Sequence, residues 1–256
     1  MYCHATGVPL TREHLIPEAI GGKWSLPDSV CDPCRTLVNQ PETRILKADL
    51  HTIRVALEVR RKRQGAKERK NGPLLPRKIA TEPTQFGSAG DERFAYQPSL
   101  DEKPPILVLL RFLEPSRLPG HERDESQHAL RLNFFNLFGD RAQKHEEVEF
   151  REPVNPWEFA FSLAKWGYGF AVAERGIDCC DTTDIRRLMI GETGDPMSFA
   201  GDTTVASFPR IRSLHWLSLR EQDGVLVATV HLFASAGFAA YDVVVGPIRT
   251  APKARN

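Results

Sequence analysis

Glu13 and His14 stand side by side near the start of this 256-residue chain, and Cys31 and Cys34 follow as a Cys-x-x-Cys pair with Cys3 upstream. A neutral imidazole can take a proton from water near pH 7, and a carboxylate beside it can hold a divalent cation. Thiolates are good zinc ligands, and a Cys-x-x-Cys turn lets two sulfurs reach one ion. One zinc shared by Cys3, Cys31 and Cys34 requires sulfurs about 4 Å apart, because each ligates at about 2.3 Å. Gly21 and Gly22 mark a turn between the two groups. A segment this short buries too little surface to fold unaided, so a structural metal is expected. The bland alternatives are a solvated Glu-His pair and three unligated thiols.

These residues resemble the HNH endonucleases, the ββα-metal nucleases. The pattern is similar to a bacterial branch that reads Cys-x-x-Cys, Glu-His-x-Ile-Pro, Gly-Gly, and then Cys-x-x-Cys before a helix. Here it is carried by Cys3, Glu13 to Pro17, Gly21-Gly22 and Cys31 to Cys34, over residues 1 to about 64. The resemblance implies an N-terminal ββα-metal module with a zinc knuckle. It implies that His14 activates the attacking water and that Glu13 helps to hold one Mg²⁺ or Mn²⁺. That cation would stabilise the scissile phosphate and its leaving oxygen. The implied structural Zn²⁺ would take Cys3, Cys31 and Cys34. The branch has two cysteines in its first knuckle, and aligning Tyr2-Cys3 puts the missing one just before Met1. The recorded start is then late, or that ligand is lost; His4, adjacent to Cys3, would need awkward geometry.

Two departures bear on catalysis. The family's asparagine between the glycine turn and the second knuckle is replaced by Leu26 to Ser29, and the residue after the last cysteine is Arg35. A guanidinium cannot ligate a metal. The remaining candidates for the catalytic cation are Glu42, at a position where the branch often carries glutamate, and Asn39. Glu42 also suits a first helical turn after Pro41, where the dipole favours a carboxylate. The expectation is a metal-dependent endonuclease acting on DNA, with RNA left open. The alternative is a catalytically degenerate zinc-knuckle nucleic-acid-binding protein.

Residues 41–64 predict the helix behind this site, with Ile45, Leu46, Leu50, Ile53, Ala56 and Leu57 on one face. Its end is basic: Arg60, Arg61, Lys62 and Arg63, then Lys67, Arg69 and Lys70. Such a run suits phosphate contacts, giving affinity that weakens with salt and reads no bases. Its bland reading is a solvated linker. Residues 1–70 are thus expected as the nuclease-like module and 71–104, rich in proline and glycine, as a linker or short hairpin.

Composition bounds the rest. A hydrophobic content of 41% and charge of 26% are ordinary for a globular chain, and the net charge is only +1. A nucleic-acid footprint must therefore come from local clustering. No apolar run of membrane length occurs and the N-terminus does not read as a signal peptide. Five cysteines do not suggest a disulfide framework, and Cys179-Cys180 read as reduced, partly buried thiols. A cytoplasmic setting is expected, bacterial if the resemblance holds; oligomeric state is not legible.

Residues 105–256 predict an α+β domain, a central helix against an antiparallel sheet. Strands are expected at 106–113 and 147–152, with a further apolar run at 130–137. Helices are expected at Trp157 to Ala173 and Thr183 to Ile190, the latter capped by Asp181 or Thr182. Strands at 213–220, 225–233 and 239–245 follow, the first two joined by the turn Glu221 to Gly224. Gly167 and Gly169 allow close approach of another element, and the lone Lys165 is expected to snorkel to the surface. His215 and His231 read as hydrogen-bonded sheet residues. His121, Asp124, Glu125 and His128 lack metal-ligand spacing. The role of this half is not legible.

Overall fold

The computed structural model describes residues 1–47, 50, 53–54, 59, 106–124, 130–136, 155–192 and 194–249, with the backbone pairs at 84–85 and 92–93. Of residues 106–109 and 130–136 the backbone is described.

Strand β1 (Leu10–His14) pairs antiparallel with β2 (Ser25–Cys31), placing Leu10 opposite Cys31 and His14 opposite Ser25. Between them lies the glycine turn. Gly22 N–H donates to Pro17 O at 3.0 Å, and a Cβ on Gly22 would stand 1.9 Å from Ile16 O. Only glycine fits there.

Helix α1 (Asp32–Lys47) starts at the residue after β2. The predicted start at Pro41 is nine residues late, because Asp32-Pro33 is a helix-start signal as well as part of the knuckle. Pro41 instead lies inside the helix, where it cannot donate to Leu37 O. Cys34, Val38, Pro41, Glu42 and Ile45 form its buried face at three-to-four spacing. Leu50, Ile53 and Arg54 beyond it are helical and buried.

Two two-residue strands, β3 (Thr84–Gln85) and β4 (Glu92–Arg93), pair antiparallel in the proline-rich stretch. The hairpin of β5 (Ile106–Phe112) and β6 (Leu130–Asn136) follows. The strand expected at 147–152 lies outside the described residues.

Helix α2 (Pro156–Arg175) is capped by Asn155, whose Oδ1 accepts from Glu158 N–H at 3.2 Å, and starts with Pro156. Every residue from Glu158 to Ala171 is buried, as its nearly all-apolar sequence requires. Helix α3 (Thr183–Met189) receives its side-chain cap from Asp181, which accepts from Thr183 N–H at 3.1 Å.

The main sheet is antiparallel, in the order β7 (Ala200–Asp202), β10 (Ala240–Pro247), β9 (Val225–His231), β8 (Trp216–Gln222). Asp223 and Gly224, both at positive φ, close the β8–β9 hairpin as a two-residue turn. Its buried carboxylate, Asp242, is bound by Arg220, Thr203, Thr204 and Thr229. The chain is α+β with antiparallel sheets, as expected.

α2 is the element on which both halves meet. Against the sheet, a Cβ on Gly167 would stand 2.7–2.9 Å from Val243, so the helix approaches β10 at this point. Against the N-terminal segment, Gly169 faces Leu15 Cδ2, 3.3 Å from the position of a Cβ. One continuous apolar core runs from Tyr2, Ile16, Val30, Val38 and Ile45 through Phe159 and Trp166 to Tyr241 and Val243.

Candidate functional site

The glutamate of the Glu-His pair points inward. Glu13 and His14 are consecutive on β1, so their side chains leave opposite faces. Glu13 is 4% exposed and faces α1 and α2, whereas His14 is half-buried on the other face. His14 Nδ1 is buried without a hydrogen-bond partner. Arg35, on the outer face of α1, pairs with Asp32 at 2.9 Å.

α1 carries Asn39 and Glu42 toward the same point as Glu13, and α2 fills that point with Lys165. Its ammonium lies 2.7 Å from Glu13 Oε1, 2.8 Å from Glu42 Oε1 and 2.9 Å from Asn39 Oδ1. Trp166 Nε1 donates to the same Glu42 oxygen at 2.7 Å. Lys165 is 1% exposed, which corrects the expectation that it snorkels. α2 is covered on both sides at this level, so its side chain has no surface to reach, and two carboxylates offset its buried charge. Burial pushes the Glu13 carboxyl above its usual range, while the Lys165 charge and hydrogen bond pull it back. Tyr2 lies beside the cluster. Burial, then the Glu13 and Glu42 charges, hold its hydroxyl in the neutral form.

The three oxygen donors considered for a catalytic cation thus come together, but around an ammonium ion. A nuclease metal needs open positions for water and a phosphate oxygen. The oxygens here are spaced for hydrogen bonds to nitrogen, and those of Glu13 and Glu42 are buried, so they do not fit a catalytic cation while Lys165 stays in place.

The thiols do fit a metal. Cys3, Cys31 and Cys34 present sulfurs that all lie within 4.8 Å of one another, and the Cys3–Cys31 pair is 3.6 Å apart. Tetrahedral thiolate ligation at about 2.3 Å needs sulfurs somewhat under 4 Å apart. The group can therefore hold an ion such as zinc after a small contraction. Cys31 ends β2 and Cys34 sits in the first turn of α1, so the strand-to-helix junction makes the knuckle. Tyr2, buried against Tyr168 at 5.9 Å between ring centroids, anchors the segment that brings Cys3 in. Burial, then hydrogen bonding with Cys3 and Cys31, pushes the Cys34 thiol up to about 12. Cys3 is raised by its burial, but hydrogen bonds from Ala5, Cys34 and Cys31 outweigh this and lower it. His4 is not among the converging groups.

The segment leading into β8 supports the glycine turn. His215 Nδ1 accepts from Phe233 N–H at 3.3 Å, which leaves Nε2 to donate to Ile20 O at 2.7 Å. His231 donates through Nε2 to Phe238 O at 2.6 Å. Both are hydrogen-bonded as read from the sequence, but only His231 lies in a strand: β8 begins at Trp216, so His215 stands in the segment that leads into it rather than in the sheet. His121 lies 4.0 Å from Glu114, whereas Glu125 and His128 lie outside the described residues. The basic residues Arg60, Arg61, Lys62, Arg63, Lys67, Arg69 and Lys70 also lie outside them.

Comparison of the chain with family models, curated proteins and solved structures gives no match. No helix among the described residues is long and apolar enough to cross a membrane.

Proposed function

We propose that this chain is a nucleic-acid-binding protein on an HNH-like ββα scaffold, with a zinc-supported knuckle and no catalytic cation. The observation that carries this reading is the buried Lys165 ammonium among Glu13, Glu42 and Asn39. The charge that a divalent ion would supply to these oxygens comes instead from a side chain of α2. The β1–β2–α1 order and the thiols at the β2–α1 junction support the scaffold. The basic run from Arg60 to Lys70 supports a phosphate-backbone partner, and Arg35 in place of the family's ligand agrees with lost catalysis. DNA is the expected partner, with RNA as the second substrate to assay.

Binding of a labelled duplex, followed by fluorescence anisotropy without divalent cation and with Mn²⁺ at matched ionic strength, tests this reading. Equal salt-sensitive affinities are expected. Absence of binding in both conditions would remove it.

The nuclease reading keeps one observation in its favour. Glu13, Glu42 and Asn39 converge on one cationic group, and His14, on the other face of β1, has a buried Nδ1 without a hydrogen-bond partner. On that reading Lys165 withdraws when Mg²⁺ or Mn²⁺ binds and His14 acts as general base. Metal-dependent nicking lost in His14→Ala separates the two.

A further inference from the structure

Outside this site, the chain places two adjacent thiols in the loop between α2 and α3. Cys179 and Cys180 present their sulfurs 3.8 Å apart, and neither is in a disulfide. Their settings differ. Cys179 is half-exposed, whereas Cys180 is fully buried beside β10, where a Cβ on Gly246 would stand 1.9 Å from Asp181 O and 3.5 Å from the Cys180 sulfur. The loop is held in place: Asp181 N–H donates to Pro247 O at 2.8 Å, and Cys179 N–H donates to Gly176 O at 3.3 Å.

We propose that Cys179 and Cys180 form a peroxide-oxidisable thiol pair that closes reversibly to a vicinal disulfide. The accessible sulfur is the one suited to attack. The hydrogen bond from Cys180 is the largest influence on Cys179; burial opposes it, and backbone N–H groups and the Arg175 cation assist. Together they bring the Cys179 thiol down to about 7. This favours the thiolate, the nucleophilic form, on the accessible sulfur. Cys180 is pushed up, first by the same hydrogen bond and then by burial, and stays a thiol.

The chemistry balances with hydrogen peroxide as oxidant. The Cys179 thiolate attacks one peroxide oxygen, the O–O bond breaks, and hydroxide leaves with the electron pair. This gives a sulfenic acid at Cys179. Cys180 then attacks the Cys179 sulfur, the S–O bond breaks, and the Cys180 proton leaves with the hydroxyl as water. Two thiols are oxidised by two electrons and the peroxide is reduced to water. Adjacent Cα atoms are about 3.8 Å apart across a trans peptide, shorter than ordinary disulfides span. The small ring is therefore strained and opens readily to an attacking thiol, which makes the modification reversible.

The tryptic peptide Gly176 to Arg186 contains both cysteines, whereas Cys3, Cys31 and Cys34 fall in other peptides. The native full chain is treated with hydrogen peroxide, alkylated, digested and analysed by mass spectrometry. The expected product is this peptide lighter by two hydrogens and without alkyl groups, returning to the dialkylated form after glutathione treatment. Cys180→Ser should stop at a Cys179 sulfenic acid trapped by dimedone, and Cys179→Ser should leave Cys180 unoxidised. Recovery of sulfinic acid at Cys179 in the wild type without the internal disulfide would overturn the proposal. So would a dialkylated peptide at peroxide levels that oxidise Cys179 in Cys180→Ser.

Discussion

Replacing Lys165 with methionine keeps an unbranched chain but removes the ammonium that pairs with Glu13 and Glu42 at 2.7 and 2.8 Å. Deleting one partner of a buried ion pair destabilises by about 3–5 kcal/mol, because the other charge is left without compensation. For a domain of this size that corresponds to a melting temperature lower by on the order of 10 °C. The loss should depend on pH, and its sign follows from Glu13. Its carboxyl already lies above the usual range through burial, and removing the Lys165 charge raises it further. A carboxyl raised in the folded state binds more protons folded than unfolded, so stability falls as pH rises through the interval between the two values. Lys165→Met should therefore fall furthest behind wild type near pH 7.5 and recover part of the difference near pH 5. Adding Glu13→Gln removes one stranded carboxylate and should recover part of the loss at pH 7.5. Urea titrations of the three proteins at both pH values measure this. A Lys165→Met deficit below about 1 kcal/mol at pH 7.5, or one that grows on acidification, would refute the buried-ion account.

Gly22→Ala should destabilise the N-terminal segment by more than about 1 kcal/mol, since the new Cβ would meet Ile16 O; hydrogen exchange at Leu15 to Gly22 reads it. Purified protein should carry close to one zinc per chain by elemental analysis. Cys34→Ser should lower both the zinc content and the thermal stability of the segment, whereas equal zinc in both proteins would separate the ion from this knuckle. Glutamine at Arg60, Arg61, Lys62 and Arg63 should weaken DNA binding and flatten its salt dependence, by about one unit of log–log slope for each phosphate no longer neutralised. An unchanged slope in anisotropy titrations would make this run a solvated linker.

What was legible in the sequence was local. Turn chemistry located the β8–β9 hairpin, although β8 runs from Trp216 to Gln222 rather than 213–220 and the turn is Asp223-Gly224 rather than Glu221 to Gly224; apolar continuity placed α2 within two residues at either end. Cys-x-x-Cys spacing located the knuckle, and Gly21-Gly22 located the turn behind Glu13. The start of α1 was missed because Asp32 and Pro33 carry two signals at once, a metal turn and a helix N-terminus. The central feature of the site was missed because it is non-local: Lys165 lies more than 120 residues from its partners in α1. A signal was present nonetheless. A single lysine in a helix apolar on every side has no exposed face to use, and burial with acidic partners was the alternative to snorkelling. β7, three residues long, is too short to show a period, and His215 supports the glycine turn through a contact that spacing cannot reveal.

The most direct test of the central claim sets cleavage against binding in one preparation. Supercoiled plasmid is incubated with zinc-loaded wild type and His14→Ala in Mg²⁺ or Mn²⁺, while duplex binding of both proteins is measured in the same buffer. If Lys165 occupies the place of the catalytic cation, both proteins bind DNA and neither nicks the plasmid above the buffer control. Nicking by wild type that requires Mg²⁺ or Mn²⁺ and disappears in His14→Ala, with binding retained, would contradict the account and establish a nuclease.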